Sequence, residues 1–188
     1  MPLAYNPFMI KIATARTVIR NFSPDDWHDL QRIITDKEAS EYAIYDYPFP
    51  TSELEVREIA AWFSKNDNYL AVWETTIKNV IGYVALNGDS RVYDLGYCLH
   101  SEYQNKGYAA ETCTAVIDYA FKVLKAERLT GGTAVLNLPS CKLLAKLGFQ
   151  KTGESITSFR KTAEGKDIEF TGASFELTND VWLKTGKA

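Results

Sequence analysis

The chain has 188 residues, of which 46% are hydrophobic and 24% are charged, and its formal net charge is -3. This average composition excludes a disordered or fibrous chain, and the length suits one domain with a sizeable core, so we expect residues 1–188 to form a single domain. The weak negative charge, without any long run of Lys or Arg, argues against nucleic acid as the main partner.

The first half of the chain is predicted to contain a strand end and two helices. Residues 17–20 form the strand end, and Ser23-Pro24-Asp25-Asp26 supplies an N-cap, a proline at the first helical position and acids at the positive helix end. Apolar residues then recur at helical spacing over residues 27–34. Residues 41–50 form a tyrosine-rich loop, and a capping-box pattern over residues 52–55 begins the second helix.

The rest of the chain alternates β-rich runs with helices. The predicted strands are residues 69–73, 80–86, 92–99, 129–136, 149–157 and 170–177, of which the first three form an antiparallel meander and the last two a hairpin. Residues 109–125 have one apolar and one charged face and predict a long helix between two strands, hence a βαβ unit with a right-handed crossover. Pro139 begins another helix and Gly148 ends it. This order favours an α+β fold.

The cysteines and the N-terminal segment indicate the cellular compartment. Cys98, Cys113 and Cys141 lack the short spacing of metal ligands, so we expect free thiols in a reducing compartment and no metal site. Residues 1–12 lack the basic start and long hydrophobic segment of a signal peptide. No stretch approaches the roughly 18 to 20 apolar residues that cross a bilayer. We therefore expect a cytoplasmic protein without a membrane partner.

One turn has the composition of an anion site. It reads Gln104-Asn105-Lys106-Gly107-Tyr108-Ala109 and joins a predicted strand to the first turn of the long helix. Backbone N–H groups there have no partner and the helix dipole is positive, so an anion fits. Gly107 permits close approach of the backbone or a positive φ, and Lys106 adds charge. An ordinary strand-to-helix turn can also contain Gly and Lys, so the turn alone does not identify a phosphate site.

The surrounding residues strengthen this interpretation. Residues 94–111 read DLGYCLHSEYQNKGYAAE and resemble the central motif of the GNAT acetyltransferase superfamily, Gln/Arg-x-x-Gly-x-Gly/Ala, which falls on Gln104, Gly107 and Ala109. A second family signature follows as Asn137-Leu-Pro-Ser140 and then residues 146–149. The resemblance extends from residue 17 to residue 177 and is greatest to the RimJ/RimL-like branch, which contains ribosomal-protein N-terminal acetyltransferases.

The resemblance implies a fold, a cofactor and an activity. The fold is a mixed, mostly antiparallel twisted sheet of about seven strands with a splayed parallel pair and flanking helices. Acetyl-coenzyme A (acetyl-CoA) would lie between the splayed strands, with its pyrophosphate on residues 104–109, Asn137 binding the cofactor and the backbone N–H near Leu99 donating to the thioester carbonyl. The activity is transfer of the acetyl group to a primary amine, of a protein or peptide N-terminus or a small molecule. The alternative is a catalytically silent sensor of coenzyme A.

The sequence differs from the family pattern at the residue expected to donate a proton to the thiolate leaving group. Many GNAT enzymes place a tyrosine seven residues after the Asn of the second signature, and that position is Leu144 here. A serine three residues after the Asn is the candidate in the RimJ/RimL-like branch, and Ser140 matches it. A serine at a helix start can equally serve to satisfy backbone N–H groups.

The sequence gives weaker indications for the base that takes the proton of the amine and for the site that binds the acceptor. Asp94 is the carboxylate on the motif strand and the candidate base, although it can also be a solvated strand residue. Four rings of the aromatic loop are candidates for a wall over the acceptor or for core packing: Tyr42, Tyr45, Tyr47 and Phe49. The pair Gly131-Gly132 leaves room for the acceptor or marks a bulge. The identity of the amine and homodimer formation stay open.

Overall fold

The computed structural model describes residues 10–89 and 91–186, and eight strands in that part of the chain form one sheet. The prediction that the chain starts without a signal peptide rests mainly on residues 1–9, which lie outside the described residues. The strands are β1 (Lys11–Ala13), β2 (Thr17–Asn21), β3 (Tyr69–Glu74), β4 (Asn79–Asp89), β5 (Val92–Leu99), β6 (Arg128–Ala134), β7 (Gln150–Lys161) and β8 (Asp167–Thr178). The helices are α1 (Trp27–Ala39), α2 (Glu53–Phe63), α3 (Tyr108–Lys122), α4 (Leu138–Leu147) and α5 (Asn179–Lys184).

The sheet is mixed and mostly antiparallel, with strand order β1-β2-β3-β4-β5-β6-β8-β7. Strands β1 to β5 form an antiparallel meander, β5 and β6 are parallel, and β6, β8 and β7 are again antiparallel. The predicted fold class is confirmed. The structure has one strand more than the predicted seven, because the three residues of β1 pair with β2 and are too few to show an alternating pattern in the sequence.

Helices cover both faces of the sheet and divide the core into two clusters. On one face, α3, α4 and α5 contribute buried side chains such as Ile117, Leu144 and Trp182. On the other face, α1 and α2 contribute Ile33 and Phe63, among others. Complete burial of a Leu or Ile side chain stabilises the fold by about 1.5–3 kcal/mol, so these two layers hold the sheet in place.

Local sequence signals set the helix ends. Ser23 forms a capping box with Asp26 in a short 3-10 turn that leads into α1, and Ser52 caps α2. Asn137 caps α4, which ends at Gly148 with φ of 99°. These ends agree with the predicted ones because caps and C-terminal glycines act through contacts within a few residues.

The structure adds one helix to the sequence analysis and excludes one alternative that it left open. Helix α5 was not predicted, and its Trp182 is fully buried with the indole N–H 2.8 Å from Asp118 Oδ1, so a tertiary contact defines it. The Gly131-Gly132 pair is not a bulge, because β6 and β8 keep one register from Arg128 to Ala134. A Cβ on Gly131 would lie 3.4 Å from the Leu144 side chain, which shows that the glycine admits close packing of α4.

No helix within residues 10–89 and 91–186 has the length and hydropathy that a bilayer span needs. The same residues contain no group of three or more His, Cys, Asp or Glu side chains arranged to hold a metal ion.

Candidate active site

A gap opens between the two parallel strands. β5 and β6 pair at only three positions, from Val92 with Arg128 to Asp94 with Thr130. Beyond Asp94, β5 continues to Leu99 beside β4, and β6 continues to Ala134 beside β8. The two strands therefore diverge toward their carboxyl ends and leave a gap that opens at the N-termini of α3 and α4.

The backbone of β5 presents donors to this gap. The His100 N–H donates to the Ile81 carbonyl at 3.0 Å, and Leu99 is the preceding residue, opposite Gly82. Hydrogen-bonded and non-hydrogen-bonded pairs alternate along antiparallel strands, so the Leu99 N–H points away from β4 and toward the gap. The Leu99 carbonyl shares this direction and accepts a bond from Gln104 Nε2 at 2.8 Å. Gln104 thus ties the predicted anion turn to the strand.

The turn has the backbone geometry of an anion site. Asn105 and Gly107 have positive φ angles of 56° and 83°, and Gly107 is the N-cap residue of α3. Helices α2 and α4 have side-chain caps from Ser52 and Asn137, whereas the structure gives α3 no side-chain cap. The first N–H groups of α3 therefore point at solvent beside the gap, where an anion can accept from them. Lys106 is exposed in the same turn.

Ser140 and Tyr97 meet at the mouth of the gap. The Ser140 N–H donates to Asn137 Oδ1 at 3.2 Å, so the side chain that caps α4 is that of Asn137. The Ser140 hydroxyl is not used as the cap and forms a different hydrogen bond. Its partner is the Tyr97 hydroxyl on β5, whose oxygen lies 2.8 Å from Ser140 Oγ. Burial raises the pKa of Tyr97, and this effect outweighs the hydrogen bond from Ser140 that favours the phenolate, so the phenol stays neutral at physiological pH.

The other two positions considered for proton transfer lie in different surroundings. Leu144, at the usual tyrosine position, is 2% exposed and belongs to the core. Asp94 lies at the closed end of the gap, where its Oδ1 accepts from Thr130 Oγ1 at 2.9 Å. Leu99 lies five positions after Asp94 along β5, which corresponds to about 16 Å. A role for Asp94 as base stays a prediction.

The aromatic loop packs against the β7–β8 hairpin. Tyr45 and Tyr47 contact the rings of Phe170 and Phe159 at centroid distances of 5.1 and 4.5 Å. Tyr42 lies 6.4 Å from Tyr45, and the Phe49 ring lies under the Lys37 ammonium at 4.7 Å. The packing interpretation therefore applies to these rings, although the Tyr47 side chain remains 62% exposed.

Two residues of the site were missed by the sequence analysis. Tyr97 reaches Ser140 across the gap, and Arg16 Nη1 donates to the Lys106 carbonyl at 3.0 Å. No local pattern could have marked either one, because the partners are 43 and 90 residues apart in the chain.

A mixed sheet whose parallel pair splays beside an uncapped helix N-terminus is the architecture of a coenzyme A-dependent acyltransferase. The family model described as acetyltransferase (GNAT) domain matches residues 16–150. The uncharacterized N-acetyltransferase YnaD of Bacillus subtilis (strain 168) is 27% identical over 150 residues, which cover 76% of this chain and 84% of the relative.

Solved structures have the same fold. A GNAT-family acetyltransferase from Bacillus anthracis gives a TM-score of 0.76 at 22% identity, over 91% of this chain and 99% of that one. A ribosomal-protein-S5-alanine acetyltransferase from Vibrio fischeri gives a TM-score of 0.75 at 20% identity, over 92% of this chain and 98% of that one. The chain belongs to the GNAT acetyltransferase family and is an acetyl-CoA-dependent N-acetyltransferase.

Proposed function

We propose that residues 104–109 bind the pyrophosphate of acetyl-CoA and that the gap between β5 and β6 holds its pantetheine arm. The observation that carries this proposal is the gap opening directly beside the uncapped N-terminus of α3. Backbone N–H groups supply donors, Lys106 supplies charge, and Gly107 leaves room because it has no Cβ. Asn137, at the start of α4, binds the cofactor from the other side of the mouth.

The residues around the gap fit the transfer reaction. Acetyl-CoA supplies the acetyl group as a thioester, which an acceptor amine attacks directly. The Leu99 N–H donates to the thioester carbonyl oxygen as negative charge develops there. The Ser140 hydroxyl donates a proton to the departing sulfur, and Tyr97 orients that hydroxyl. Asp94 takes the proton that the amine loses through a chain of waters, because its distance of about 16 Å along β5 from Leu99 excludes direct transfer.

The acceptor in this proposal is the N-terminal amine of a protein, as in the RimJ/RimL-like branch. Support comes from the sequence motifs around Gln104 and Asn137, which resemble that branch. One continuous sheet supports a single acetyltransferase domain, which we place in the cytoplasm.

Two measurements test the proposal. Isothermal titration of the wild-type protein with coenzyme A should show binding at one site, and absence of binding would refute the cofactor site. Thiol release from acetyl-CoA should then be followed with N-terminal peptides of ribosomal proteins, polyamines and aminoglycosides. The peptides should react fastest. Faster reaction with a small amine would refute the acceptor assignment, and tight binding without thiol release on any acceptor would support the sensor alternative.

A further inference from the structure

Arg16 lies against the turn that the proposed function assigns to the pyrophosphate. It belongs to the connection between β1 and β2, far from the turn in sequence. Its Nη1 donates to the Lys106 carbonyl at 3.0 Å, and its Cζ lies 4.0 Å from the centre of the Tyr108 ring. Its Nη2 is 3.4 Å from the position that a Cβ on Gly107 would occupy. One guanidinium therefore contacts Lys106 and Tyr108 of the turn and lies beside the open side of Gly107.

The Arg16 side chain is also fixed by a carboxylate in the first turn of α3. Arg16 Nε and Nη2 both lie 2.7 Å from Glu111 Oε2, and the Arg16 backbone N–H lies 2.8 Å from Glu111 Oε1. Thr14 Oγ1 donates to the same Oε1 at 2.6 Å. On the other side, the Arg16 carbonyl accepts from the N–H and hydroxyl of Thr75, both at 3.0 Å. Such a two-point carboxylate pair with fixed ends holds the guanidinium in one orientation.

The charge of Glu111 makes this pair relevant to anion binding. Burial alone raises the pKa of Glu111, but the bonds from Thr14 and Arg16 outweigh it and lower the pKa, so the carboxylate is ionised at neutral pH. A carboxylate in the first turn interacts favourably with the positive end of the helix dipole, but it repels a phosphate bound at the same end. Arg16 offsets this negative charge at a distance of one hydrogen bond.

We propose that Arg16 is a positioning residue for coenzyme A, which holds the turn through Lys106 and Tyr108 and cancels the charge of Glu111. This inference rests on the proposed cofactor site. It predicts that loss of Arg16 weakens coenzyme A binding without changing the chemistry at Ser140.

The test compares Arg16→Ala with the wild type and with Arg91→Ala, which removes an exposed Arg–Glu pair at the other end of β5. Arg16→Ala should raise the KM for acetyl-CoA and the Kd for coenzyme A by about tenfold, as expected for the loss of one charge-assisted contact, with kcat within about twofold. Arg91→Ala should change neither. Arg16→Lys should recover part of the affinity, because it restores the charge without the two-point geometry.

Two outcomes would overturn the inference. Coenzyme A bound equally well by wild type and Arg16→Ala would show that Arg16 does not position the turn, whereas a wild type that binds no coenzyme A refutes the cofactor site itself. The double variant Arg16→Ala/Glu111→Gln should bind coenzyme A several-fold better than Arg16→Ala, since the uncompensated charge is gone. No recovery in the double variant, with the melting temperature unchanged, would refute the charge-cancelling role.

Discussion

At the scale of single residues, the proposed mechanism assigns to the Ser140–Tyr97 pair the proton donation for which Leu144 has no suitable group. The pair places two hydroxyl oxygens 2.8 Å apart at the mouth of the gap, and the neutral Tyr97 phenol can hold the Ser140 hydroxyl in one orientation. A coenzyme A thiol has a pKa of roughly 8.5 by analogy with cysteine, so its thiolate is already a reasonable leaving group. The acid is therefore expected to accelerate the reaction rather than to be indispensable.

Ser140→Ala should lower kcat by roughly tenfold, at the low end of general acid catalysis, because the leaving group needs only partial assistance. The KM for acetyl-CoA should stay within about twofold of wild type, since the anion turn is unaffected. Tyr97→Phe should give a smaller decrease in kcat because it removes only the partner of the hydroxyl. Thiol release at saturating substrate measures both variants.

The matched control for this prediction is Ser155→Ala, which removes an exposed serine hydroxyl from β7. It should leave both kinetic parameters unchanged. An unchanged kcat for Ser140→Ala in a saturated assay would remove Ser140 from the mechanism, and the pair with Tyr97 would then be only a structural contact.

Gly107 offers a separate test of the turn, because its φ of 83° penalises any side chain. Gly107→Ala should destabilise the fold by about 1–2 kcal/mol through this backbone strain and should also weaken coenzyme A binding. Gly165→Ala is the control: it has nearly the same φ, 81°, in the β7–β8 turn, with open space around it. Thermal unfolding should show similar losses for both, and only Gly107→Ala should raise the KM for acetyl-CoA. Equal KM values for acetyl-CoA in Gly107→Ala and Gly165→Ala would show that the turn does not bind the cofactor.

The residues of the turn could be predicted from the sequence, whereas their supports could not. Gly107 and Ala109 act through backbone geometry, and the Gln104 side chain reaches back only to Leu99, so one short segment carries the pattern. Arg16 and Tyr97 act through contacts with residues distant in the chain. An arginine after a strand and a tyrosine within a strand are common, so neither residue forms a sequence pattern that marks a site.

At the scale of elements, the strands and helices that were predicted have signals in their own sequence, whereas those that were missed depend on contacts with other elements. Helices α2 and α4 have caps in their own sequence, and β3 to β5 have long β-rich runs. Short β1 and α5 depend on partners, since β1 pairs with β2 and α5 is fixed by Trp182. The splay of β5 and β6 came from family resemblance, because no local pattern encodes where two strands part.

Removal of the anchor of α5 should affect stability but not catalysis. Trp182→Phe removes the indole N–H that donates to Asp118 and leaves a small cavity, so the free energy of unfolding should fall by about 1–3 kcal/mol. Asp118 lies ten residues after Tyr108, about 15 Å along the helix from the anion turn, so kcat/KM of the folded protein should be unchanged.

Urea titration measures the stability effect of Trp182→Phe. Leu183→Ala is the control in the same helix, because Leu183 is 59% exposed and should contribute little. Equal unfolding midpoints for Trp182→Phe and wild type would show that the indole N–H bond to Asp118 does not stabilise the fold.

At the scale of the whole molecule, an ion pair joins the helical layer to the β7–β8 hairpin. Arg160 Nη2 on β7 lies 2.8 Å from Glu38 Oε2 on α1, and both side chains are less than one-fifth exposed. Arg160 Nε also donates to the Asp46 carbonyl at 2.8 Å, which connects the aromatic loop to the same hairpin. Glu38 in turn accepts from the Phe49 N–H at 3.1 Å. Helix α1, the aromatic loop and the β7–β8 hairpin are therefore held together around one carboxylate.

This carboxylate should make stability depend on pH. Burial by itself raises the pKa of Glu38, but the Phe49 N–H, Arg160 and Lys37 outweigh it and lower the pKa below the ordinary value of 4.5. As the pH falls below about 4.5, Glu38 becomes protonated in the unfolded chain before it does so in the folded protein. The ionised Glu38 therefore stabilises the fold fully above pH 4.5, and this stabilisation is lost as the pH falls through the lower pKa that Glu38 has in the folded protein.

Glu38→Gln should consequently be less stable than wild type at pH 7, and the difference should shrink as the pH is lowered through the region below 4.5. Urea unfolding at a series of pH values measures both curves, with Glu53→Gln on the exposed face of α2 as a control that should remain near wild type at pH 7. A difference that stays constant down to the acid limit would contradict the assignment, because only a group that is ionised in the folded protein can lose its contribution on protonation. Loss of thiol release by Glu38→Gln at pH 7, with coenzyme A binding retained, would further indicate that the hairpin and the aromatic loop must stay joined for the acceptor to bind.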